Sequence, residues 1–268
     1  MRLYTKQQLI ETMREIFRQG WHRSVKETRD TRNDGAVGNT LETLLGLKEN
    51  NLPIPNAREW ELKGQRSHTG SLVTLKHIEP SPTAAKIVSN LLLPLYGWKH
   101  QYAGKKYPST EMSFRSTTNA TEYTARGFTI VVDRNQQKVR FVFDPSKARA
   151  GDPDIASWLK SVEKRTGLGP IAPEPYWGFD DLKYAIGSKI SNCFYVIADS
   201  KAEAGREFFL YKELYILSGF SFESFIKCIE AGAVLIDFDA RTGHNHGTKF
   251  RIRQGHWKDL FSDVTRAI

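Results

Sequence analysis

The sequence predicts a mixed α+β fold, an α/β protein in the broad sense, with a central mixed sheet flanked by helices. Segments with helical spacing of apolar residues and segments with strand-like alternation are interspersed along its 268 residues. They do not follow the regular strand–helix–strand order of a doubly wound parallel sheet. With 40% hydrophobic and 26% charged residues, the chain has the composition of a globular protein with a sizeable core.

The first helix is predicted from an N-cap, an apolar face and a glycine stop. Thr5 is a suitable N-cap residue and Gly20 is a suitable end. The residues between them carry an apolar face at helical spacing, formed by Leu9, Ile10, Met13, Ile16 and Phe17.

A second helix is predicted over Leu41–Leu47, capped by Asn39 or Thr40, after a polar loop that ends in the glycine-containing run 34–38. Glu42 lies in the first turn of this helix. The helix therefore brings a carboxylate close to the start of the next segment.

The rest of the chain is predicted as strands with three further helices. Strands are expected at 60–63, 72–77, 128–133, 138–144, 192–198 and 207–217. Helices are expected at 84–93, after Asp152 as N-cap, and at 222–229. A hairpin is expected from 233–238 and 248–252, joined by a turn over 241–247.

The charge balance favours a polyanionic partner, most simply nucleic acid. Lys and Arg number 39 against 30 Asp and Glu, a formal net charge of +9. A basic enzyme without such a partner is the alternative. The two cysteines, Cys193 and Cys228, lie in apolar segments and indicate neither a disulfide framework nor a zinc site. No signal peptide or membrane-spanning run is apparent, so a cytoplasmic protein is expected.

The segment Trp60-Glu61-Leu62-Lys63 carries the strongest chemical signal. In a strand, alternate side chains share a face, so Glu61 and Lys63 lie together while Trp60 and Leu62 point to the other side. A carboxylate beside an ammonium can hold a divalent cation and activate a water for phosphodiester hydrolysis. This is the core of a PD-(D/E)xK nuclease site. The position at which that motif has an aspartate is occupied by Asn56.

A Glu-x-Lys triplet is weak evidence on its own, because such triplets arise by chance. Asp181-Leu182-Lys183 and Asp199-Ser200-Lys201 are rivals, and a solvated strand with a surface ion pair is a third interpretation. Only the triplet at 61–63 follows a Pro-x-Pro turn and a helix-borne carboxylate, which favours it.

Two separated segments resemble the MvaI/BcnI family of type II restriction endonucleases, in the MutH-like branch of the PD-(D/E)xK nucleases. The first is Gly38-Asn39-Thr40-Leu41-Glu42-Thr43-Leu44-Leu45-Gly46 followed by Pro55-Asn56-x-x-x-Trp60-Glu61-Leu62-Lys63. The second, Asp239–Ile252, is similar to that family's DNA-reading hairpin.

The resemblance implies that Glu42, Asn56 and Glu61 bind Mg²⁺, with the carbonyl of Leu62 completing the shell, and that Lys63 orients or deprotonates the attacking water. The four catalytic positions would then be Glu42, Asn56, Glu61 and Lys63.

Asn56 departs from the family pattern. An asparagine still offers a carbonyl oxygen to a hard cation but has lost the negative charge, so Mg²⁺ is held less well. The site is then expected to be empty or to hold Ca²⁺ in this form. Two explanations stay open: an inactivated variant of an enzyme with aspartate here, which the surrounding pattern favours, or a naturally silent DNA binder.

Arg241–Arg253 is predicted to read DNA. Arg and Lys suit guanine edges, and His and Asn exchange hydrogen bonds with bases in the major groove. A polar hairpin tip is the alternative; zinc binding by the two histidines lacks partner ligands, and the rest of an HNH nuclease motif is missing. The candidate readers are Arg241, His244, Asn245, His246, Lys249 and Arg251.

Further DNA contacts are predicted around the motif strand and in the middle of the chain. The loop after Lys63 offers Arg66, Ser67, His68 and Thr69 as candidates near the scissile backbone, and His77 is a candidate minor-groove reader by analogy. The polar, basic stretch 102–126, which includes Arg115, is expected to clamp the duplex from the other side of a cleft. A solvated loop is the alternative for this stretch.

The resemblance therefore implies a Mg²⁺-dependent type II endonuclease acting as a monomer on double-stranded DNA. It would nick each strand in turn at a short GC-rich site such as CCWGG or CCSGG, leave a 5′-phosphate and be paired with a DNA methyltransferase. A single nuclease chain is expected, with a DNA cleft between two lobes. The catalytic lobe comprises about 1–80 with parts of 128–200, and the DNA-recognition lobe about 81–127 and 205–268. Alternatives are a MutH-like nickase, a silent DNA-binding protein and a metabolic enzyme.

Overall fold

The computed structural model describes residues 4–26, 35–47, 60–67, 70 and 72–268. It has the predicted mixed α+β architecture. The α-helices are α1 (Lys6–Arg18), α2 (Ala36–Leu44), α3 (Pro153–Thr166), α4 (Phe179–Ile190) and α5 (Phe222–Glu230). A π-helix spans Val88–Tyr96, and short 3₁₀ turns lie at Thr83–Ala85, Gln254–His256 and Lys258–Leu260.

Strands make up much of the rest of the described chain. In chain order they are β1 (Trp21–Arg23), β2 (Glu61–Arg66), β3 (Leu72–His77), β4 (Trp98–Lys99), β5 (Met112–Thr118), β6 (Arg126–Asp133), β7 (Lys138–Ala148), β8 (Tyr176–Gly178), β9 (Asn192–Glu203), β10 (Arg206–Phe220), β11 (Val234–Arg241), β12 (His244–Arg253) and β13 (Phe261–Arg266).

Helix α1 begins as predicted at a capping box. The Thr5 hydroxyl accepts a hydrogen bond from the Gln8 backbone N–H, and the Gln8 side chain accepts one from the Thr5 N–H. Leu9, Ile10, Met13 and Ile16 are buried on one face. Helix α3 also follows the prediction, with Asp152 as N-cap and Gly167 in the left-handed conformation at its end.

Helix α2 begins earlier than predicted. Gly35 is its N-cap and makes no side-chain cap, so the predicted capping by Asn39 or Thr40 is wrong. Thr40 instead lies inside the helix, where its hydroxyl donates to the Ala36 carbonyl at 2.8 Å. Gly38, which suggested a loop, lies against β2 inside this helix: a Cβ built on Gly64 of β2 would come within 2.9 Å of the Gly38 nitrogen.

The chain divides into two compact units. Unit 1 comprises residues 1–73, 185–224 and 257–268, and unit 2 comprises 74–184 and 225–256. These units follow from packing alone, so the division into catalytic and recognition lobes stays a prediction.

Unit 1 is built on a five-stranded mixed sheet in the order β1-β10-β9-β2, with β13 paired to β10. Strand β2 runs parallel to β9, with Glu61 opposite Cys193 and Lys63 opposite Tyr195, whereas the other pairs are antiparallel. One core cluster joins α1 and α2 to Leu62, Phe194 and Val196. The apolar face of β2 is thus the one carrying Leu62, as predicted.

Unit 2 contains a five-stranded sheet, β3-β12-β11-β5-β4, and a three-stranded sheet, β6-β7-β8. Aromatic side chains fill its core: Phe114 contacts Phe128, Phe141 and Phe238 with ring centroids 5.5, 6.2 and 5.6 Å away. Such clusters contribute through buried area and edge-to-face contacts.

Several predicted elements in unit 2 differ from the structure. The predicted turn over 241–247 is wrong, because β11 and β12 pair up to Arg241 and His244 and leave only Thr242 and Gly243 between them. The helix predicted at 84–93 is a π-helix over Val88–Tyr96. Strand β5 runs through the stretch 102–126, and helix α4 was not predicted. No helix in the described ranges is long and apolar enough to cross a membrane.

Candidate functional site

The predicted pair on β2 forms as expected. Lys63 Nζ lies 2.9 Å from Glu61 Oε1, and the Glu61 side chain is only 2% exposed. Strand β2 lies at one end of the described sheet of unit 1, and alternation along it places Glu61, Lys63 and Gln65 on the face opposite Leu62. A buried carboxylate is thus held beside an ammonium at a sheet edge.

The neighbours of Glu61 on β9 are shielded from water. Cys193 lies opposite Glu61 and is fully buried, and burial raises the pKa of its thiol, which stays protonated. Tyr195, opposite Lys63, donates its hydroxyl proton to the Gln65 side-chain oxygen, and burial raises its pKa as well. Neither group is therefore suited to act as a nucleophile, which leaves Glu61 and Lys63 as the candidate reactive groups of this face.

Helix α2, which carries Glu42, is packed tightly against β2. A Cβ built on Gly64 meets the Gly38 backbone nitrogen at 2.9 Å and a Val37 methyl at 3.0 Å. The Tyr211 hydroxyl donates to the Val37 carbonyl at 2.9 Å, and the Tyr4 hydroxyl donates to the Leu45 carbonyl at 2.7 Å, which ties both ends of the helix to the core.

Glu42 lies four residues after Gly38 and hence on the side of α2 that faces β2. The Glu42 side chain is half-buried. Its role as a metal ligand stays a prediction, as does that of the Leu62 carbonyl. Asn56 lies outside the described residues.

The donor set suits a hard divalent cation. Glu61 Oε2 is buried and has no hydrogen-bond partner among the described residues, and carboxylate oxygens are the ligands that Mg²⁺ prefers. Within those residues no three His, Cys, Asp or Glu side chains form a cluster able to hold a metal. Glu61 therefore suits a cation, but further ligands are needed to complete the site; the predicted ones are Glu42, Asn56 and the Leu62 carbonyl.

The rival triplets lie in surroundings that differ from those of Glu61 and Lys63. Asp181-Leu182-Lys183 lies in α4, where residues two apart do not share a face. Asp199 and Lys201 lie on β9, but each contacts other groups: Lys212 and Ser67 pair with Asp199, and Glu203 pairs with Lys201. The triplet at 61–63 is thus the best candidate in the described chain.

The predicted phosphate contacts after Lys63 are placed differently from expectation. Arg66 lies inside β2 and is buried, donating Nε and Nη2 to the two carboxylate oxygens of Glu207, each at 2.7 Å. An arginine used in this way is not available to a phosphate, which argues against the predicted contact. Ser67 donates its hydroxyl proton to Asp199. His68 and Thr69 lie outside the described residues.

In unit 2 the predicted DNA-reading residues share one sheet. Alternation buries Phe238, Thr248, Phe250 and Ile252 on one face of β11 and β12 and turns charged side chains to the other. We call this side the polar face. It is formed by Arg115 and Thr117 of β5, Asp237 and Asp239 of β11, and Lys249 and Arg251 of β12.

The cations of the polar face are paired with its two aspartates. Arg115 Nε lies 2.8 Å and Lys249 Nζ 3.7 Å from Asp239, and Arg251 lies 3.4 Å from Asp237. Arg241 pairs with Glu111 at 2.9 Å and its guanidinium lies 4.8 Å from the Tyr107 ring. The aspartates were not predicted, because charge counting along the chain does not identify cross-strand neighbours.

The hairpin tip exposes the predicted His244, Asn245 and His246. The two imidazole centroids are 4.2 Å apart, and Asn245 Oδ1 accepts from the Gly247 N–H at 2.9 Å. Gly247, with φ +86°, lies at a bulge that allows this turn. The start of β12 thus exposes three polar side chains, and the Asn245–Gly247 hydrogen bond holds the backbone there.

Two residues on β3 and just after it adjoin this tip. Glu79 Oε1 accepts from the Thr248 N–H at 2.8 Å, which braces β12. His77 lies near Gly247, and desolvation together with the Lys249 charge lowers the pKa of its imidazole. His77 is therefore neutral at pH 7, and its predicted role as a groove reader stays a prediction.

A comparison with protein-family models adds the deciding observation. The model of the MvaI/BcnI restriction endonuclease family matches residues 10–261, nearly the whole chain. The chain belongs to the MvaI/BcnI restriction endonuclease family. By this membership it is classed with the type II restriction endonucleases, as the two sequence segments predicted.

Solved structures agree with the family assignment at the level of the fold. The chain is similar to restriction endonuclease MvaI bound to its cognate DNA substrate, with 22% sequence identity, a TM-score of 0.75, and coverage of 99% of this chain and 100% of that one. It is also similar to MvaI in the absence of DNA, with 22% identity, a TM-score of 0.54 and full coverage of both chains. The predicted restriction-endonuclease-like fold is confirmed. A comparison with curated protein sequences finds no match.

Sequence reasoning missed one charged neighbour of the MvaI/BcnI-like motif. Lys189, near the end of α4, places its Nζ 3.1 Å from Glu61 Oε2. The sequence does contain evidence for helix α4, because the apolar residues Leu182, Ile186 and Ile190 recur every four residues, as in an amphipathic helix. Gly187 weakens the helical prediction, and no pattern within residues 179–190 predicts that the helix packs near β2.

Proposed function

We propose that this protein is a Mg²⁺-dependent, sequence-specific endonuclease that hydrolyses phosphodiester bonds of double-stranded DNA at the Glu61–Lys63 site. The observation that carries the proposal is the buried carboxylate of Glu61 with an ammonium 2.9 Å away, on an edge strand of a restriction-endonuclease-family chain. Burying a charge costs free energy, and active sites are among the places where proteins keep buried charges.

The proposed roles of the chain's own groups follow from their chemistry. Glu61, Glu42, the residue at position 56 and the Leu62 carbonyl would hold the metal. When bound, Mg²⁺ supplies charge for the phosphate oxygens and lowers the pKa of a water. Lys63 would orient or deprotonate the attacking water. The water oxygen would form a bond to phosphorus as the P–O3′ bond breaks, and a proton would pass to O3′, so that the products are a 5′-phosphate and a 3′-hydroxyl.

Under this proposal, Asn56 weakens the binding of Mg²⁺ at the metal site. Replacing a carboxylate by a carboxamide removes a full negative charge from the metal shell while keeping one oxygen donor. We propose that the sequence represents an inactivated form of an enzyme with aspartate at this position. This is supported by the otherwise complete motif: Glu42, Glu61 and Lys63 are all present.

DNA recognition is assigned to the polar face and hairpin tip of unit 2, with Arg115, Arg241, Lys249 and Arg251 as cations and His244, Asn245, His246 and His77 as further contacts. The net charge of +9 supports an electrostatic attraction to the duplex. MvaI has been crystallised with its cognate DNA, and by family analogy we propose a monomer that nicks each strand in turn within a CCNGG-like site, paired with a DNA methyltransferase.

The catalytic and recognition roles are proposed to divide broadly between the two units. Glu61 and Lys63 lie in unit 1, whereas the polar face lies in unit 2. This division differs from the one predicted from sequence. Residues 185–198 and 257–268 both belong to unit 1, but the sequence placed the first range in the catalytic lobe and the second in the recognition lobe. Mutagenesis of both ranges would decide between the two divisions.

Plasmid cleavage by the Asn56→Asp form tests the proposal. With Mg²⁺ we expect discrete fragments whose mapped ends share one short GC-rich sequence. Glu61→Gln in the same background removes the charge at the centre of the site and is expected to slow cleavage at least about a hundredfold, the effect of roughly 3 kcal/mol of lost transition-state stabilisation.

Two other results would redirect the proposal. Accumulation of nicked circles that never become linear would favour a MutH-like nickase. A form with aspartate at position 56 that binds duplex DNA but leaves a wide range of sequences uncut would favour a silent DNA-binding protein, the alternative that Asn56 itself motivates.

A further inference from the structure

Lys189 belongs to neither of the two motif segments but reaches the same carboxylate as Lys63. Helix α4 buries Leu182, Ile186 and Ile190 on its apolar face, and this packing fixes the last turn of the helix. The Lys189 ammonium then lies 3.1 Å from Glu61 Oε2, and its side chain is 13% exposed. Both residues belong to unit 1.

Glu61 is therefore held between two ammonium groups. Lys63 contacts Oε1 and Lys189 contacts Oε2, while the carboxylate itself is almost fully buried. Two ammonium groups thus contact the two oxygens of one carboxylate. The motif accounts for Lys63 but not for Lys189.

The Lys189 contact lacks the geometry of a directed hydrogen bond. Oε2 has the ammonium within ion-pair distance and yet has no hydrogen-bond partner among the described residues. The interaction is thus mainly coulombic. A contact of this kind can be exchanged for another cation with little loss of directional bonding.

We propose that Lys189 is a positioning residue that holds Oε2 of Glu61 until a divalent cation replaces it. The proposal rests on the proposed metal-dependent function. A buried carboxylate needs a counter-charge at all times. A divalent cation at Oε2 and an ammonium 3.1 Å from the same atom repel each other. Binding of the metal therefore requires the Lys189 side chain to move away.

Removing the Lys189 charge has two opposite consequences under this proposal. The metal-free protein loses a counter-charge for a buried carboxylate and becomes less stable. The metal no longer has to displace an ammonium, so its affinity rises. A purely structural lysine would produce the first effect without the second.

Calorimetric titration of Ca²⁺, an oxygen-seeking probe, tests this in the Asn56→Asp form without any cleavage assay. We expect Lys189→Met to lower the dissociation constant for Ca²⁺ by about tenfold relative to its parent, because one repulsive charge is gone. The matched control is Lys183→Met, which removes the same charge from an exposed position of the same helix and should leave the constant unchanged.

Thermal unfolding in chelator and in saturating Ca²⁺ gives a second measurement. Lys189→Met should melt below the parent in chelator and recover most of the difference in Ca²⁺. Lys189→Arg, which keeps the charge, should behave as the parent in both experiments. If Lys189→Met does not fold, Lys189→Gln removes the same charge with a polar side chain and carries the same expectations.

An unchanged or weaker Ca²⁺ affinity in Lys189→Met would overturn the proposal, and so would tighter binding by Lys189→Arg of the same size. If the parent binds Ca²⁺ and Glu61→Gln does not, the metal site of the proposed function stands whatever Lys189 does. If neither the parent nor any lysine variant binds Ca²⁺, both proposals fail.

Discussion

Charged side chains are arranged in opposite ways in the two units. In unit 1, the carboxylate of Glu61 is buried and both ammonium groups, of Lys63 and Lys189, contact it. In unit 2, Asp239 lies between Arg115 and Lys249, and the three side chains are 27%, 46% and 23% exposed. The first arrangement fits the proposed metal site and the second fits the proposed contact with a polyanion.

Each unit also contains an arginine and a glutamate joined by two N–H to oxygen contacts, so burial alone can be compared. Arg66 and Glu207 in unit 1 are 9% and 5% exposed, whereas Arg134 and Glu230 in unit 2 are 44% and 36% exposed. Donor–acceptor distances are similar, 2.7 and 2.7 Å against 2.6 and 2.8 Å. The difference in surroundings decides what each pair contributes.

The largest expected effect is on stability. Arg66→Met leaves the Glu207 carboxylate buried without its partner and should lower the free energy of unfolding by about 3–5 kcal/mol. Arg134→Met breaks an exposed pair and should cost at most about 1 kcal/mol. Urea denaturation of both variants measures the contrast. Equal losses in the two units would show that burial does not govern these pairs.

The next largest expected effect is on stability, at the close contact between Gly64 of β2 and Gly38 of α2. Gly64→Ala places a methyl group 2.9 Å from the Gly38 nitrogen and should cost about 1–3 kcal/mol by overpacking. Because α2 would shift, cleavage by the Asn56→Asp form should also fall, through Glu42.

Gly151→Ala is the control for this substitution, since its added Cβ meets nothing within 4 Å and its φ is not positive. It should leave stability within about 1 kcal/mol of the parent. A Gly64→Ala protein as stable and as active as this control would mean that the close approach of α2 to β2 does not position Glu42.

The smallest effect concerns the polar face. Asp239→Asn removes a negative charge that pairs with Arg115 and Lys249 and would repel phosphate, so duplex DNA should bind more tightly by roughly 1 kcal/mol, about fivefold, at low salt. Fluorescence anisotropy with a labelled duplex measures this. Asp154→Asn on α3 removes the same charge from an exposed helix position, and an equal gain there would indicate net charge rather than the polar face.

Local patterns predicted a good part of this fold. Helices α1 and α3 follow from their caps and apolar spacing, and most strands from alternation, because these signals involve residues a few positions apart. The start of α2 was predicted wrongly since Gly35 and Gly38 favour loops in isolation. The close approach of Gly38 to Gly64, from a strand further along the chain, reverses that preference.

The hairpin shows the same limit. Its two strands were predicted, but a bulge at Gly247 and the brace from Glu79 let the strands extend through residues that appear turn-like. The candidate site divides in the same way. Arg66 was predicted to contact phosphate because the residues after Lys63 were expected to form a loop near the scissile backbone. The strand instead continues through Arg66, whose guanidinium pairs with Glu207 of β10.

The sequence by itself determined that Glu61 and Lys63 share a face and that Leu62 and Trp60 pack beneath, because alternation along a strand is a property of the backbone. It also carried the family, through two segments in the right order. Only the tertiary structure decided that Lys189 meets Glu61 Oε2 and that aspartates pair with the cations of the polar face. Those contacts join residues that are far apart in the chain. Ion pairing depends on the distance between charges in space, which local sequence patterns do not give.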